Sequence, residues 1–380
     1  MTQPTNTAAW LPKAKAPLKV GPAPYTPPGE NELVVKTRAV AVNPVEWSKQ
    51  LIGDMMFSWI KYPFILGNDL AGEVVAVGTG STAAHFQPGD RVLAHALAMD
   101  PAVNRAAEGA FQSYVIVRAH MVSRIPDSLT FERACVLPLC LSTAACGLFQ
   151  KDYLALNPPI PSLADRKPTG KAVLVWGGST SVGSNAVQLA SAAGYEVIST
   201  SSPRNFAYLK TLGATHVFDY NSPTVVDDIV SAIGPTKPVA GALAVGNNST
   251  ENCIRVLSRC PAKGSNKFVA QASFPQPEGT ASFSLAGLAG FALGMAWWNV
   301  KVAAMTRVQG VKTKFIFGSS LMGNEVSKVL YEDFLPRALA EGTFVPAPEP
   351  EVVGSGLESV QHALDVHRKG VSAKKVVVSI

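Results

Sequence analysis

Apolar and polar positions alternate in short runs over the first third of the chain and then give way to longer apolar blocks. Between Glu32 and about Arg124 the runs Leu33-Val-Val-Lys-Thr-Arg-Ala-Val, Gly72-Glu-Val-Val-Ala-Val-Gly, Arg91-Val-Leu-Ala and Ser113-Tyr-Val-Ile-Val are separated by turn residues such as Gln87-Pro-Gly-Asp90. Regular punctuation between β-branched runs predicts a compact, barrel-like β domain. Phe131 to Leu148 reads as one helix, and Asn157-Pro-Pro-Ile-Pro161 with Lys167-Pro-Thr-Gly170 forms a proline-rich join. Beyond it, strand and helix patterns alternate: Ala172–Trp176 apolar throughout, Ser181–Ala193 helical, Glu196–Thr200 a strand, Asn205–Leu212 a helix, His216–Asp219 a strand. Continuously apolar strands between helices predict a parallel, doubly wound sheet buried on both faces. Lys267–Ala272 and Lys314–Gly318 read as later strands of that sheet, and Lys374–Ile380 as a strand returning to the first domain. The predicted class is α/β, with one domain from 1–165 and 319–380 and the other from 166–318.

Gly279 to Val300 interrupts this scheme, since it carries no charge and is long enough to span a membrane. Its glycines and hydroxyls, and its place between two predicted sheet strands, favour a buried helix that walls an apolar cavity or forms an oligomer contact. No membrane span is expected.

Composition narrows the setting. A chain of 380 residues with 47% hydrophobic and 16% charged residues suits two soluble domains with sizeable cores. The formal charge of +6 favours anionic partners, but no basic block with interleaved aromatics is present, so nucleic acid is not expected. Met1 to Ala9 lacks the apolar centre of a signal peptide, and cytoplasmic residence follows as the expectation. Five cysteines, an odd number without a Cys-x-x-Cys pair, read as buried small hydrophobes.

The candidate chemistry begins at Val173-Leu-Val-Trp-Gly-Gly-Ser-Thr-Ser-Val-Gly-Ser184. Here a strand enters a small-residue turn and a helix starts at once, aiming N–H groups and the helix dipole at one spot that suits a pyrophosphate. In the dinucleotide fingerprint Gly178 and Gly183 fill the outer glycine places and Thr180 stands in the middle one, so its side chain must turn away from the phosphates or bond them. Gly178, Ser179, Thr180, Ser181 and Val182 are the candidate pyrophosphate residues. After the second strand, where an Asp or Glu would select NAD(H), the chain has Ser201-Ser-Pro-Arg204. Hydroxyls of Ser201 and Ser202 with the Arg204 guanidinium suit a 2′-phosphate, and NADPH is the expected cofactor.

Asn43-Pro-Val-Glu-Trp47, Leu66-Gly-Asn-Asp-Leu-Ala-Gly-Glu-Val74, Gln87-Pro-Gly-Asp-Arg-Val92, the Gly177–Gly183 turn and Leu212-Gly-Ala-Thr215, in that order, resemble the medium-chain dehydrogenase/reductase superfamily over nearly the whole chain. Ser202-Pro-Arg-Asn-Phe206 and Phe315-Ile-Phe-Gly-Ser-Ser320 look most like the trans-acting enoyl reductases of fungal polyketide synthases. The resemblance implies a GroES-like β-barrel catalytic domain and a Rossmann cofactor domain. Alcohol dehydrogenases of the superfamily hold a catalytic zinc with a Cys and a His-Glu pair, where this chain has Asn43 and Asn68-Asp69, and amides are poor zinc ligands. The cysteine-rich loop of a structural zinc is missing between Ala94 and Phe111, and His362 and His367 are wrongly spaced for a ligand pair. No metal is expected, and Asn68-Asp69 is read as the organiser of a turn bordering the active-site cleft.

By the same resemblance Asn43 and Lys49 lie in the segment facing the nicotinamide, and Lys49 offers a proton or binds a phosphate. Thr143 matches a threonine near the nicotinamide that hydrogen-bonds the substrate carbonyl or the cofactor. Phe317 matches the strand packed on the nicotinamide, and Lys374 a cation near the pyrophosphate. The implied activity is NADPH-dependent reduction of an α,β-unsaturated carbonyl, with polyketide chains held by an acyl carrier protein as the implied substrates. A quinone oxidoreductase and a non-catalytic NADPH-binding protein are the alternatives.

Overall fold

The β-branched runs of the N-terminal third pair as antiparallel strands in the structure, a computed structural model that describes residues 4–273 and 285–380. In chain order they are β1 (Asn6–Leu11), β2 (Lys19–Ala23), β3 (Glu32–Ala41), β4 (Phe64–Ile65), β5 (Asp69–Val77), β6 (Arg91–His95), β7 (Tyr114–Arg118) and β8 (Val122–Arg124). Helix α1 (Pro44–Ile52) joins β3 to β4. Strand β3 is the hub, antiparallel to β5 along most of its length and to β7 from Glu32↔Arg118 to Lys36↔Tyr114. Strand β5 in turn pairs β6, setting Asp69 opposite His95. Leu33, Val35, Leu70, Val74, Val92 and Phe111 meet in the core that this curved sheet encloses.

Helix α2 (Phe131–Ala134) and helix α3 (Pro138–Phe149) replace the single helix expected over Phe131–Leu148. The break falls before Pro138, which disfavours helical backbone at Leu137 and is best placed in a first helical turn. The chain then alternates β9 (Ala172–Trp176), α4 (Ser181–Ala192), β10 (Glu196–Ser201), α5 (Phe206–Thr211), β11 (His216–Asp219), α6 (Val225–Ile233), β12 (Val239–Ala244), α7 (Ser249–Ser258), β13 (Phe268–Gln271), α8 (Leu285–Gln309) and β14 (Lys312–Phe315). Among the described residues these strands form a six-stranded parallel sheet ordered β11-β10-β9-β12-β13-β14. That order reverses between β9 and β12, the point at which such sheets take a dinucleotide. The last strand is Lys312–Phe315, not the expected Lys314–Gly318, because its parallel ladder ends where β13 ends, at Gln271↔Phe315.

The remaining elements are α9 (Leu335–Ala340), β15 (Glu349–Ser355), α10 (Val360–Arg368) and β16 (Lys374–Ser379). Strand β16 lies between β15 and β3, with Val377 opposite Ala41, so the tail closes the first sheet. Two compact units result: residues Met1–Ser142 with Ser319–Ile380, and Thr143–Gly318. The proline-rich segment belongs to the second unit, where the Ile160 N–H donates to the Ala192 carbonyl at 3.0 Å and the Asn157 N–H to the Tyr195 hydroxyl at 3.2 Å.

Residues 279–284 of the uncharged segment lie outside the described residues, and the rest is buried along one side only, which departs from a wholly buried helix but not from the oligomer-contact alternative. In α8, Trp298, Val302 and Met305 pack on the second unit's core, whereas Leu293 and Trp297 are each 72% exposed. All five cysteines are buried and free.

Candidate active site

The glycine turn after β9 forms as its sequence requires. Gly177 has φ +78°, a left-handed conformation, and a Cβ on Gly183 would come within 2.2 Å of the Gly177 carbonyl oxygen, so the helix start and the turn touch through backbone alone. Thr180 resolves its own departure from the fingerprint. Its hydroxyl donates to the Gly177 carbonyl at 2.8 Å and accepts from the Gly183 N–H at 3.0 Å, capping α4 and turning away from the turn's open side. The N–H groups of Ser181 and Val182, in the first turn of α4, have no acceptor among the described residues. A diphosphate fits there, on two amides at a helix's positive end.

Beyond β10, Ser201 is fully buried and its hydroxyl donates to the Ser202 carbonyl at 3.0 Å. Ser202 is half-buried and shares a hydrogen bond of 3.0 Å with the Tyr220 hydroxyl, while the Arg204 side chain is exposed. Ser202, Arg204 and Tyr220 therefore form the polar surface at this strand end, and Ser201 braces it from within. Tyr220 was not singled out by the sequence pattern, since a tyrosine one residue after a strand carries no motif.

Thr143 and Phe317 meet in the second unit. The Thr143 hydroxyl faces Gly318 so closely that a Cβ there would lie 2.5 Å from it, and the Cys146 thiol reaches the Phe317 and Gly318 carbonyls at 3.7 and 3.6 Å. The Phe317 ring is 61% exposed and meets Phe315 edge to face.

In the first unit the structure gathers groups that the sequence separates by more than three hundred residues. Lys375, 1% exposed, places its ammonium 2.9 Å from Asp69 Oδ2, 2.5 Å from Asn43 Oδ1 and 3.5 Å from Cys140 Sγ. Asn43 Nδ2 donates to Asp69 Oδ2 at 2.9 Å, and Asp69 Oδ1 accepts the Leu139 N–H at 2.6 Å in the first turn of α3. Glu46, fully buried, accepts the N–H groups of Asn43 at 2.5 Å and Asn68 at 3.1 Å. Burial, with Asp69 beside it, pushes the Glu46 pKa up to about 8. Burial works against the charge on Lys375, but Asp69 above all carries its pKa beyond the ordinary lysine range. Glu46 is thus held mostly protonated at neutral pH, beside the Asp69–Lys375 ion pair.

Next to it the His95 Nδ1 lies 3.0 Å from the Ser142 hydroxyl, which is 2.7 Å from the Tyr331 hydroxyl. Burial pulls the His95 pKa down to about 4, and its Nε2 is buried without a partner among the described residues. The Asp69 carboxylate does not bond within its own turn: its oxygens are occupied by Leu139, Asn43 and Lys375. Lys49 differs from its expected role: it is fully buried and its ammonium donates to the carbonyls of Gly53, Met56 and Phe57 at 3.0, 2.8 and 3.3 Å. Those acceptors make it a clasp for the loop after α1 and leave it no proton to deliver. Lys374 is exposed on the opposite side of β16 from Lys375, as strand alternation requires.

The fold and this pair of sites define an oxidoreductase with an alcohol-dehydrogenase-like β domain and a nucleotide-binding α/β domain. Residues 29–127 match the family Alcohol dehydrogenase GroES-like domain, and residues 181–260 match Zinc-binding dehydrogenase. The chain belongs to the medium-chain dehydrogenase/reductase superfamily. It is 50% identical to "Dehydrogenase pigH" of Monascus ruber, over 99% of this chain and 100% of that one. It is 37% identical to "Trans-enoyl reductase himH" of Aspergillus japonicus, over 99% and 97% of the two chains. The solved structure of the CurK enoyl reductase matches it with a TM-score of 0.68 at 19% identity, over 98% of this chain and 99% of that one, a likeness of fold. The superfamily's cofactor is NAD(P), which the turn after β9 fits.

Zinc, which the second family's name implies, does not fit. Where Asn43, Asp69 and Cys140 converge, the space between their heteroatoms holds the Lys375 ammonium. A cation bound there would have to displace a lysine whose charge Asp69 already neutralises.

Proposed function

We propose that this protein is an NADPH-dependent, zinc-independent enoyl reductase acting on polyketide chains. The observation that carries the reading is the internal Lys375 ammonium, held between Asn43, Asp69 and Cys140 where a zinc ion would have to displace it. Without a Lewis acid there, the substrate must supply its own electron sink, and a conjugated carbonyl does so. Full-length identity to a protein called a trans-enoyl reductase supports the same class.

Bound NADPH supplies a hydride to the β-carbon of the α,β-unsaturated carbonyl. The double bond's electrons move onto the carbonyl oxygen as an enolate, and a proton from water completes the α-carbon. The chain's own contribution is positioning and electrostatics. In this reading the amides of Ser181 and Val182, with Gly178, Ser179 and Thr180 shaping the turn, bind the diphosphate. Ser202 and Arg204, braced by Ser201, take the 2′-phosphate, and the Phe317 ring packs on the nicotinamide. The Thr143 hydroxyl donates to the substrate carbonyl, and Lys374 adds positive charge near the diphosphate.

The test follows NADPH oxidation by the purified protein with trans-2-hexenoyl N-acetylcysteamine thioester and with a benzoquinone, and NADP⁺ reduction with a secondary alcohol. Faster turnover of the enoyl thioester is expected. Preference for the quinone, or no turnover with any of the three, would overturn the assignment.

A further inference from the structure

Helix α8 carries two apolar sides, and among the described residues only one is covered. Trp298, Val302 and Met305 pack inward, and Lys301 pairs with Glu251 at 3.1 Å beside them. On the other side Leu293, Trp297, Val300 and Val308 are 72, 72, 61 and 85% exposed. Their spacing of four, three and eight residues keeps them, with Ala304, on one helical face of about four turns. Monomeric proteins seldom leave so continuous an apolar stripe in water. Gly290 and Gly294 sit inside the same helix, and a Cβ on either would meet nothing within 4 Å. Interior glycines weaken a helix, and among the described residues no contact within the chain requires these two, so the helix surface there is open to a close approach.

Charge identifies the visitor. From Glu278 to Glu325 the sequence has no acidic residue between, but has Lys301, Arg307, Lys312 and Lys314. Arg307, Lys312 and Lys314, with Phe268 and Ala304, line an open groove between α8 and β14 at one end of the stripe. Lys301 and Lys314 are paired with Glu251 and Asp152, while Arg307 and Lys312 project from the surface. A second copy would bring the same cations and no acid against them. A lipid surface would make no use of the glycines.

We propose that the α8 stripe with Arg307 and Lys312 is the docking surface for an acidic amphipathic helix of an acyl carrier domain. The occupant rests on the polyketide reading above. Apolar residues of the carrier helix seat on Leu293, Trp297 and Val300, its backbone approaches at Gly290 and Gly294, and its carboxylates face Arg307 and Lys312.

The experiment compares wild type, Trp297→Glu and the double variant Arg307→Glu/Lys312→Glu. Each is given trans-2-hexenoyl thioester on a phosphopantetheine-loaded acyl carrier domain, and the same acyl group on N-acetylcysteamine. Binding of the loaded carrier domain is titrated separately at 50 and 200 mM salt. The expected result is a loss of roughly tenfold or more in carrier affinity and in kcat/KM on the carrier-bound substrate, with turnover of the free thioester unchanged. Salt should weaken wild-type binding and affect the double variant less. Carrier affinity equal in all three proteins overturns the docking surface even where enoyl reduction is observed. Failure of both thioesters with carrier binding intact overturns the reaction instead. Dimerisation in light scattering, or binding to anionic phosphatidylserine vesicles, abolished by Trp297→Glu while carrier affinity stays unchanged, reassigns the face to a second copy or a membrane.

Discussion

Lys375 is the residue on which the first unit's polar interior depends, because among the described residues it is the cation that faces Asp69 and Asn43 Oδ1. Lys375→Met leaves a buried carboxylate without its partner, which costs about 3–5 kcal/mol. The expected outcome is faster hydrogen exchange of the β5 and β16 amides in the variant, with the amides of β9 and β10 unchanged. Glu46 and His95 give the same region opposite pH dependences. Glu46 has its pKa raised to about 8, so its contribution is complete below the unfolded carboxylate range and is lost as pH rises through 8. His95 is held near 4, so its contribution is complete above the unfolded histidine value of about 6.5 and is lost as pH falls through 4. Glu46→Gln should therefore flatten the decline in stability between about pH 5 and 8, measured as denaturation midpoints across that range. For the cofactor, Arg204→Ala should weaken NADPH binding by about tenfold, the loss of a charge-assisted hydrogen bond, and leave NADH binding unchanged in a fluorescence titration.

The elements were more legible than the side-chain clusters that they carry. The strand β9, the turn and α4 were readable because glycine, small residues and a continuous apolar strand each report a local demand of the backbone. Gly183→Ala tests that demand, since its methyl group would strike the Gly177 carbonyl; loss of cofactor binding with reduced thermal stability is expected. Thr180 was read as a departure, and its capping bonds show why the turn tolerates it. The Lys375 cluster was not legible: a lysine in Lys374-Lys-Val-Val-Val reads as surface, and only the pairing of β16 with β3 turns Lys375 inward beside Asn43. Lys49 went the other way, because its backbone acceptors come from a loop whose course no local pattern fixes. Helix α8 was legible only as a choice between burial and an oligomer contact, since uniform apolarity does not say whether the covering surface lies in the same chain.

At the scale of the molecule, the second unit carries the glycine turn after β9 and the first carries the Lys375 cluster. NADPH at about a hundred times its dissociation constant should stabilise the protein by roughly 2.7 kcal/mol. The check is a rise of a few degrees in thermal midpoint with NADPH and a smaller one with equal NADH. EDTA should change neither the midpoint nor the activity, and metal analysis should find zinc far below one per chain. The placement of β16 also bears on biosynthesis. On the ribosome the nucleotide unit, made of one uninterrupted stretch, emerges whole, while Ala41 and Asp69 must wait for Val377 and Lys375. Until then the nascent β domain lacks the partner strand of β3 and the ammonium that pairs Asp69, so a premature stop codon near the end of the message should destabilise this half and spare the other.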